Sequence, residues 1–209
     1  MTPPFARLAA PLRFYAVVPS ADWVGRMVDA GASTIQLRNK QLIGSALHHE
    51  IERSIAYARD SRSHLFINDY WVEAVECGAY GVHLGQEDLA SADLVAIKKA
   101  GLRLGVSTHS IDELAHALSV QPSYVASGAI FPTTTKTMPT EPQGLVKLRE
   151  YVRQAGDTPT VAIGGITLEN APEVLATGVS SLAVVRAITE ASDPAAVVAA
   201  FEALWTESA

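Results

Sequence analysis

One cysteine, Cys77, is all that the sequence has, so no intramolecular disulfide can form and the chain suits a reducing compartment such as the cytoplasm. No apolar run is long enough to span a bilayer, so no membrane-spanning helix is expected. The opening "MTPPFARLAAPLRFYAVV" lacks a charged segment followed by an apolar stretch and a cleavage site, so no signal peptide is read. An excess of basic residues is missing too. The formal net charge is −6, which argues against a nucleic-acid protein held mainly by phosphate contacts. A local basic pocket can still take a small anion, because a site can carry the opposite sign to the whole. Zinc-ligand spacing and a nucleophile elbow are absent, and no G-x-G-x-x-G follows the first apolar run.

What is present is a core. With 48% hydrophobic residues among 209, the chain can build one sizeable domain and is not disordered by composition. Short β-rich apolar runs recur at Phe14–Val18, Thr34–Arg38, His64–Asn68, Gly81–Leu84, Arg103–Ser107, Tyr124–Gly128, Thr160–Ile163 and Ser181–Val185. Amphipathic segments with helical spacing lie between them, among them Leu42–Asp60, Ala92–Ala100, Ile111–Leu118, Leu145–Gln154 and Leu168–Thr177. Ser110 with Glu113 reads as a capping box, and Asp193-Pro194 as a cap residue before a proline at the first helical position. Glycines at 31, 78 and 178 follow helical segments as stop signals.

Strands alternating with helices imply a parallel sheet. Eight such units in about 200 residues match the lower size limit of a closed barrel. The expected fold is therefore α/β, a single (β/α)8 TIM barrel over residues 1–209, with residues 1–10 frayed. An open doubly wound sheet is the alternative, and its dinucleotide signal is missing.

In such a barrel the chemistry sits at the C-terminal ends of the strands. Period-two alternation in "TIQLRNK" sends Ile35 and Leu37 to the helix-covered face and Gln36, Arg38 and Lys40 toward the mouth; a solvated strand end is the plainer reading. "FINDY" supplies Asn68 and Asp69, which are also good helix caps. "VHLGQEDL" supplies Gln86, Glu87 and Asp88. Asp69 and Asp88 follow adjacent strands, and two carboxylates near cations suit a hard divalent ion with oxygen ligands, as Mg²⁺ prefers. Ser107 ends the fifth strand, and His109 reads as a loop residue. "IFPTTTKTMP" then gathers four threonines around Lys136, a cradle for an oxyanion rather than an ordinary turn. Gly164 and Gly165 precede a helix, where backbone N–H groups can approach a phosphate, although tight strand-to-helix packing would also explain them. Two anion sites result, one around Arg38, Lys40 and Lys136, the other on the last two strand loops. Cys77 reads as a core thiol, and His83 as a residue of either pocket or core.

Together these motifs resemble the thiamine-phosphate synthase (thiamine-phosphate pyrophosphorylase) family. "QLRNK", "FIND", "GVHLGQEDL", "GVSTH", "GAIFPTTTKTMP" with "PQGL", and "AIGGI" occur in the family's order along the whole chain. The resemblance implies a transferase that joins a hydroxymethylpyrimidine diphosphate to a hydroxyethylthiazole phosphate, with Mg²⁺, releasing pyrophosphate. It assigns Gln36, Arg38, Lys40, Asn68 and Lys136 to the pyrimidine diphosphate, and Ser107 to the pyrimidine side. Asp69 and Asp88 go to the metal, and Thr133, Thr135 and Gly165 to the thiazole phosphate. Lys136, Arg38 and Ser107 are the residues expected to act on the reacting groups. Small molecules are then the only partners expected, with no nucleic acid and no membrane; a homo-oligomer is compatible with the sequence but not specified by it.

One departure stands out. The family usually reads "VVSAI" after the eighth strand, where this chain has "VVRAI" with Arg186. An arginine there can add a charge-assisted phosphate contact, crowd the site, or turn outward. A thiazole tautomerase is the rival enzyme, disfavoured by "FPTTTK" and the carboxylate pair. A non-catalytic barrel that senses thiamine precursors is the rival of a different class, and a phosphate-binding barrel isomerase is a weaker third.

Overall fold

The computed structural model describes residues 4–133 and 141–206. Eight parallel strands close on themselves in sequence order. The chain runs β1 (Arg13–Val18), α1 (Ala21–Asp29), β2 (Thr34–Leu37), α2 (Gly44–Ala58), β3 (His64–Asn68), α3 (Trp71–Glu76), β4 (Gly81–Leu84), α4 (Gln86–Ser91) and α5 (Leu94–Lys99). It continues through β5 (Arg103–Thr108), α6 (Ile111–Ser119), β6 (Tyr124–Gly128), α7 (Gly144–Ala155), β7 (Thr160–Ile163), α8 (Ala171–Leu175), β8 (Ser181–Val184), α9 (Arg186–Thr189) and α10 (Pro194–Ala203). Pairing of β1 with β8, in the register Phe14 with Leu182 and Tyr15 with Ala183, closes the barrel. The expected TIM barrel is thus the observed one.

Local chemistry sets the boundaries. Ser110 caps α6 through the Glu113 N–H at 3.2 Å. The reciprocal arm of the predicted capping box lands one residue early: the Glu113 carboxylate accepts from His109 N–H at 2.6 Å. Asp193 caps α10, accepting from Ala196 N–H at 3.1 Å. Gly31, Gly78 and Gly178 all lie at positive φ of 67–88°, the left-handed turn that ends each helix without a Cβ clash. The predicted Leu168 start of a helix moves to Ala171, because Asn170 Oδ1 accepts from Thr167 N–H at 2.9 Å and holds a turn there.

Alternation along the strands splits the core in two. Outward residues such as Ala16, Ile35, Leu37, Ile67, Val106 and Leu182 pack under the helices. Inward residues form a smaller cluster of Leu12, Tyr15, Val17, Phe66, Tyr124, Ala126, Val161 and Ala183. Two inward glycines make room for the rings. A Cβ on Gly81 would lie 2.5 Å from the Phe66 ring, and one on Gly105 would lie 2.1 Å from that of Tyr124.

The N-terminal segment departs from expectation. Where fraying is predicted, Phe5 is buried and its N–H donates to Gln121 O at 3.1 Å. Ala6 O accepts from the Ser123 hydroxyl at 2.6 Å, and Ala9 N–H donates to Tyr80 Oη at 3.0 Å. These bonds fasten the segment across the barrel floor, with Leu8 and Leu12 against the inner cluster. Cys77 is half-buried rather than fully in the core, its Sγ 3.4 Å from His48 Nε2. Burial, then the nearby glutamates, pushes its thiol pKa up, which disfavours the thiolate. No helix among the described residues is long and apolar enough to cross a membrane.

Candidate active site at the barrel mouth

A cavity of about 1090 Å³ opens at the C-terminal ends of the strands. Gln36, Arg38, Lys40, Asn68, Asp69, Asp88, Ser107, Thr133, Gly165 and Arg186 all line it. Residues that the sequence scatters over 150 positions are brought to one place, as barrel topology dictates. Thr135 and Lys136, predicted for the same mouth, lie outside the described residues.

The β2–β4 side carries the charge. Arg38 forms no salt bridge among the described residues, so its guanidinium faces the cavity without an acidic partner. Asn68 is buried as a residue, but its amide reaches the cavity and takes no side-chain partner among the described residues, an arrangement that suits a ligand. Asp69 follows with φ of 65°, a left-handed conformation uncommon outside glycine. Its N–H still donates to His83 O at 2.9 Å, so the turn comes directly after one more rung of the β3–β4 ladder. The cap reading of Asn68 and Asp69 fails, because α3 starts from Tyr70 and receives no side-chain cap.

The Asp69 carboxylate is ion-paired to Lys40. Asp88 sits in the first turn of α4, immediately after β4. Its carboxyl pKa is raised, first by burial, then by the charge of Asp69 and a hydrogen bond to it, with Lys40 opposing. Two carboxylates in contact, one already holding an ammonium group, form a donor set that wants more positive charge. Among the described residues no cluster of three or more His, Cys, Asp or Glu side chains is placed to hold a metal ion. The pair therefore fits a hard cation that draws most of its ligands from water and substrate oxygens, as Mg²⁺ does.

Beneath the cavity a hydrogen-bonded chain crosses the barrel. Gln36 Nε2 donates to Tyr15 Oη at 3.1 Å, and Tyr15 Oη lies 2.7 Å from Tyr124 Oη. Tyr124 Oη lies 2.7 Å from His83 Nδ1, and His83 Nε2 lies 2.7 Å from Ser107 Oγ. Burial pushes both phenols above their ordinary pKa. Of the two places that the sequence allows His83, pocket and core, it occupies both: it is 6% exposed and bonded on each side. Sequence reasoning does not single out Tyr15 or Tyr124. Their signal is an inward strand position bearing a phenol, one of them across from Gly105.

The β6–β8 side is built from backbone. Phe131 N–H donates to Gly164 O at 3.0 Å, so β6 and β7 stay paired beyond their ends. A Cβ on Gly165 would fall 2.7 Å from Phe131 Cβ and Pro132 O. The glycine pair thus serves close loop packing, the plainer of its two readings, while still lining the cavity beside Thr133. Arg186 opens α9 and forms a bidentate pair with Glu190 at 2.7 and 3.0 Å. It is therefore held along its own helix at the cavity rim. His109, read as a loop residue, is tied to Glu113 at 3.0 Å.

The chain matches the thiamine monophosphate synthase family model over residues 14–188. It is 71% identical over 201 residues to a thiamine-phosphate synthase of Neisseria meningitidis serogroup B, covering 96% of this chain and 98% of that one. It is 55% identical over 193 residues to that of Cronobacter sakazakii, with 92% of each covered. Among solved structures, a thiamine phosphate pyrophosphorylase from Pyrococcus furiosus superposes with a TM-score of 0.81 at 29% identity, covering 94% of this chain and 96% of that one.

Proposed function

This chain belongs to the thiamine monophosphate synthase family, an enzyme family of thiamine biosynthesis, and from that premise we propose that it joins a hydroxymethylpyrimidine diphosphate to a hydroxyethylthiazole phosphate by departure of the diphosphate first. The carbon–oxygen bond breaks, and its electron pair leaves with pyrophosphate. The thiazole nitrogen lone pair then forms the new carbon–nitrogen bond to the pyrimidine methyl cation. That nitrogen has no proton to lose, so no general base is required. The cations, hydroxyls and carboxylate pair of the mouth then serve to hold phosphates and a metal rather than to move a proton.

The observation that carries the reading is the Lys40–Asp69–Asp88 cluster on the wall of the cavity that also holds Arg38 and Asn68. Arg38, Lys40 and Asn68 bind the diphosphate, and the positive charge of Arg38 and Lys40 favours the transition state, in which charge grows on the departing oxygens. Asp69 and Asp88 would hold Mg²⁺, which when bound supplies further positive charge to the leaving group. Gln36 and Ser107 orient the pyrimidine from the cavity floor. Thr133 and Gly165, with Arg186 at the rim, take the thiazole phosphate. Lys136 and Thr135 join these two groups through the family resemblance alone. The single cysteine and the phosphorylated substrates suit a cytoplasmic setting.

The test is turnover. Purified protein mixed with both substrates is expected to form thiamine phosphate when Mg²⁺ is present and to stop when it is chelated. Binding of both substrates with no product at any Mg²⁺ concentration would refute the synthase reading in favour of a sensor barrel. Product formed equally well in chelator would remove the metal from it.

A further inference from the structure

The chain of hydrogen bonds under the cavity has a direction. Gln36 Nε2 carries only protons to give, so Tyr15 Oη accepts from it at 3.1 Å. Tyr15 is buried and its hydroxyl has no other acceptor among the described residues, so its single hydrogen goes to Tyr124 Oη at 2.7 Å. Tyr124 in turn donates its own to His83 Nδ1 at 2.7 Å. A neutral imidazole that accepts at Nδ1 carries its proton on Nε2. Nε2 therefore donates to Ser107 Oγ at 2.7 Å. The Ser107 hydroxyl hydrogen is left uncommitted by the chain, on a side chain that lines the cavity.

We propose that Tyr15, Tyr124 and His83 are positioning residues: they fix His83 as the Nε2–H tautomer and thereby commit Ser107 to donate its hydroxyl hydrogen into the cavity. A group with a lone pair, such as an unprotonated ring nitrogen, is then the partner that uses this hydrogen. Only this last statement rests on the synthase reading. Run the other way, with Gln36 accepting, the same five side chains would leave Ser107 facing the cavity as an acceptor.

The packing supports a built device. Tyr124 reaches His83 from β6 by passing over β5 at Gly105, where a Cβ would lie 2.3 Å from its hydroxyl. Phe66 and Tyr15 hold its ring, with centroids 5.1 and 5.9 Å away. Burial disfavours ionisation of both phenols, so each keeps the hydrogen that the chain orients.

The experiment is nitrogen NMR on ligand-free protein labelled with ¹⁵N-histidine, with His83 assigned among the six histidines by loss of its signals in His83→Gln. The wild type is expected to show an unprotonated Nδ1 and a protonated Nε2 at His83. Tyr124→Phe should shift the population toward Nδ1–H and lower turnover about tenfold. Tyr15→Phe keeps the contact between Tyr124 and His83 but removes the hydrogen that directs it, so it should shift the tautomer less than Tyr124→Phe does. That separates loss of any buried hydroxyl from loss of this one. A wild-type His83 protonated on Nδ1 would overturn the proposal, as would a folded Tyr124→Phe protein with wild-type tautomer and turnover. Because the wild-type spectrum needs no substrate, and His83→Gln serves only to assign it, it decides the direction even if Tyr124→Phe does not fold or the synthase assay fails.

Discussion

Replacing Gly105 by alanine adds one methyl group at the most crowded point of the barrel. The new Cβ would stand 2.1 Å from Tyr124 Cζ, 2.3 Å from its Oη and 2.4 Å from Cε1. The backbone there does not need a glycine, so alanine alone would stabilise by about 0.4–1 kcal/mol through the unfolded chain. Against this stands overpacking of a ring with no measurable exposure, at about 1–3 kcal/mol. A displaced Tyr124 hydroxyl also loses its bonds to Tyr15 and His83, at about 1 kcal/mol each. The balance is a loss of about 3 kcal/mol. For a chain of this size that lowers the melting temperature by roughly 6–12 °C. Thermal unfolding followed by circular dichroism reads it directly. Adding Tyr124→Phe should recover little, since Cζ and not the hydroxyl is the nearer atom. Gly31→Ala is the control: φ is +82° with nothing within 4 Å of a Cβ, so only the backbone cost of about 1–2 kcal/mol applies. A Gly105→Ala protein melting within about 2 °C of wild type would refute the account of the inner layer.

Three other outcomes are expected. Asp88→Asn should raise the melting temperature of the metal-free protein at neutral pH and abolish its rise with Mg²⁺. The sign follows from the raised Asp88 pKa: the folded state holds that proton more tightly than the unfolded, so stability is lost as pH rises through the raised value. The advantage of the variant should therefore shrink as pH falls, and melts that differ by the same amount at every pH would contradict it. Gly165→Ala, at φ of +66° with Phe131 and Pro132 in the way, must move the loop that carries Thr133. Steady-state kinetics should show KM for the thiazole phosphate up about tenfold, with KM for the diphosphate little changed; equal rises in both would argue against separate phosphate sites. Arg186→Ser breaks an exposed pair with Glu190, so the melting temperature should move by no more than about 2 °C and activity should persist. An inactive wild type revived by that change would show that Arg186 blocks the site.

The barrel is legible in the sequence because each strand carries its own alternation and each helix its own punctuation. His64–Asn68 and Tyr124–Gly128 can be bounded to the residue for that reason. Alternation places Arg38 inside β2, and its N–H does bond to Val18 O at 2.8 Å, but the strand ends one residue earlier. The mouth is legible because a polar residue directly after an apolar strand has little but the mouth to face in this architecture. What stays hidden depends on contacts between distant strands. Nothing local to Tyr124 says that its hydroxyl meets His83, 41 positions away. Nothing in the reading of Arg186 says that Glu190 will hold it, because the short helix α9 that aligns them follows β8 directly and is not among the helical segments expected from the sequence. Phe5 likewise looks like part of a loose leader until Gln121 gives its backbone a partner.

That last contact has a temporal side. Ala6 and Ser123, joined by a hydrogen bond across the barrel floor, are 117 positions apart. At a synthesis rate of roughly 5–20 residues per second, the first residues wait on the order of 6–20 s before their anchor exists. For that interval the floor is open and Phe5 is an apolar side chain without a berth. During synthesis, sealing of the floor must therefore follow emergence of the chain through Ser123, and a nascent chain halted before that residue should remain open to proteases around Phe5.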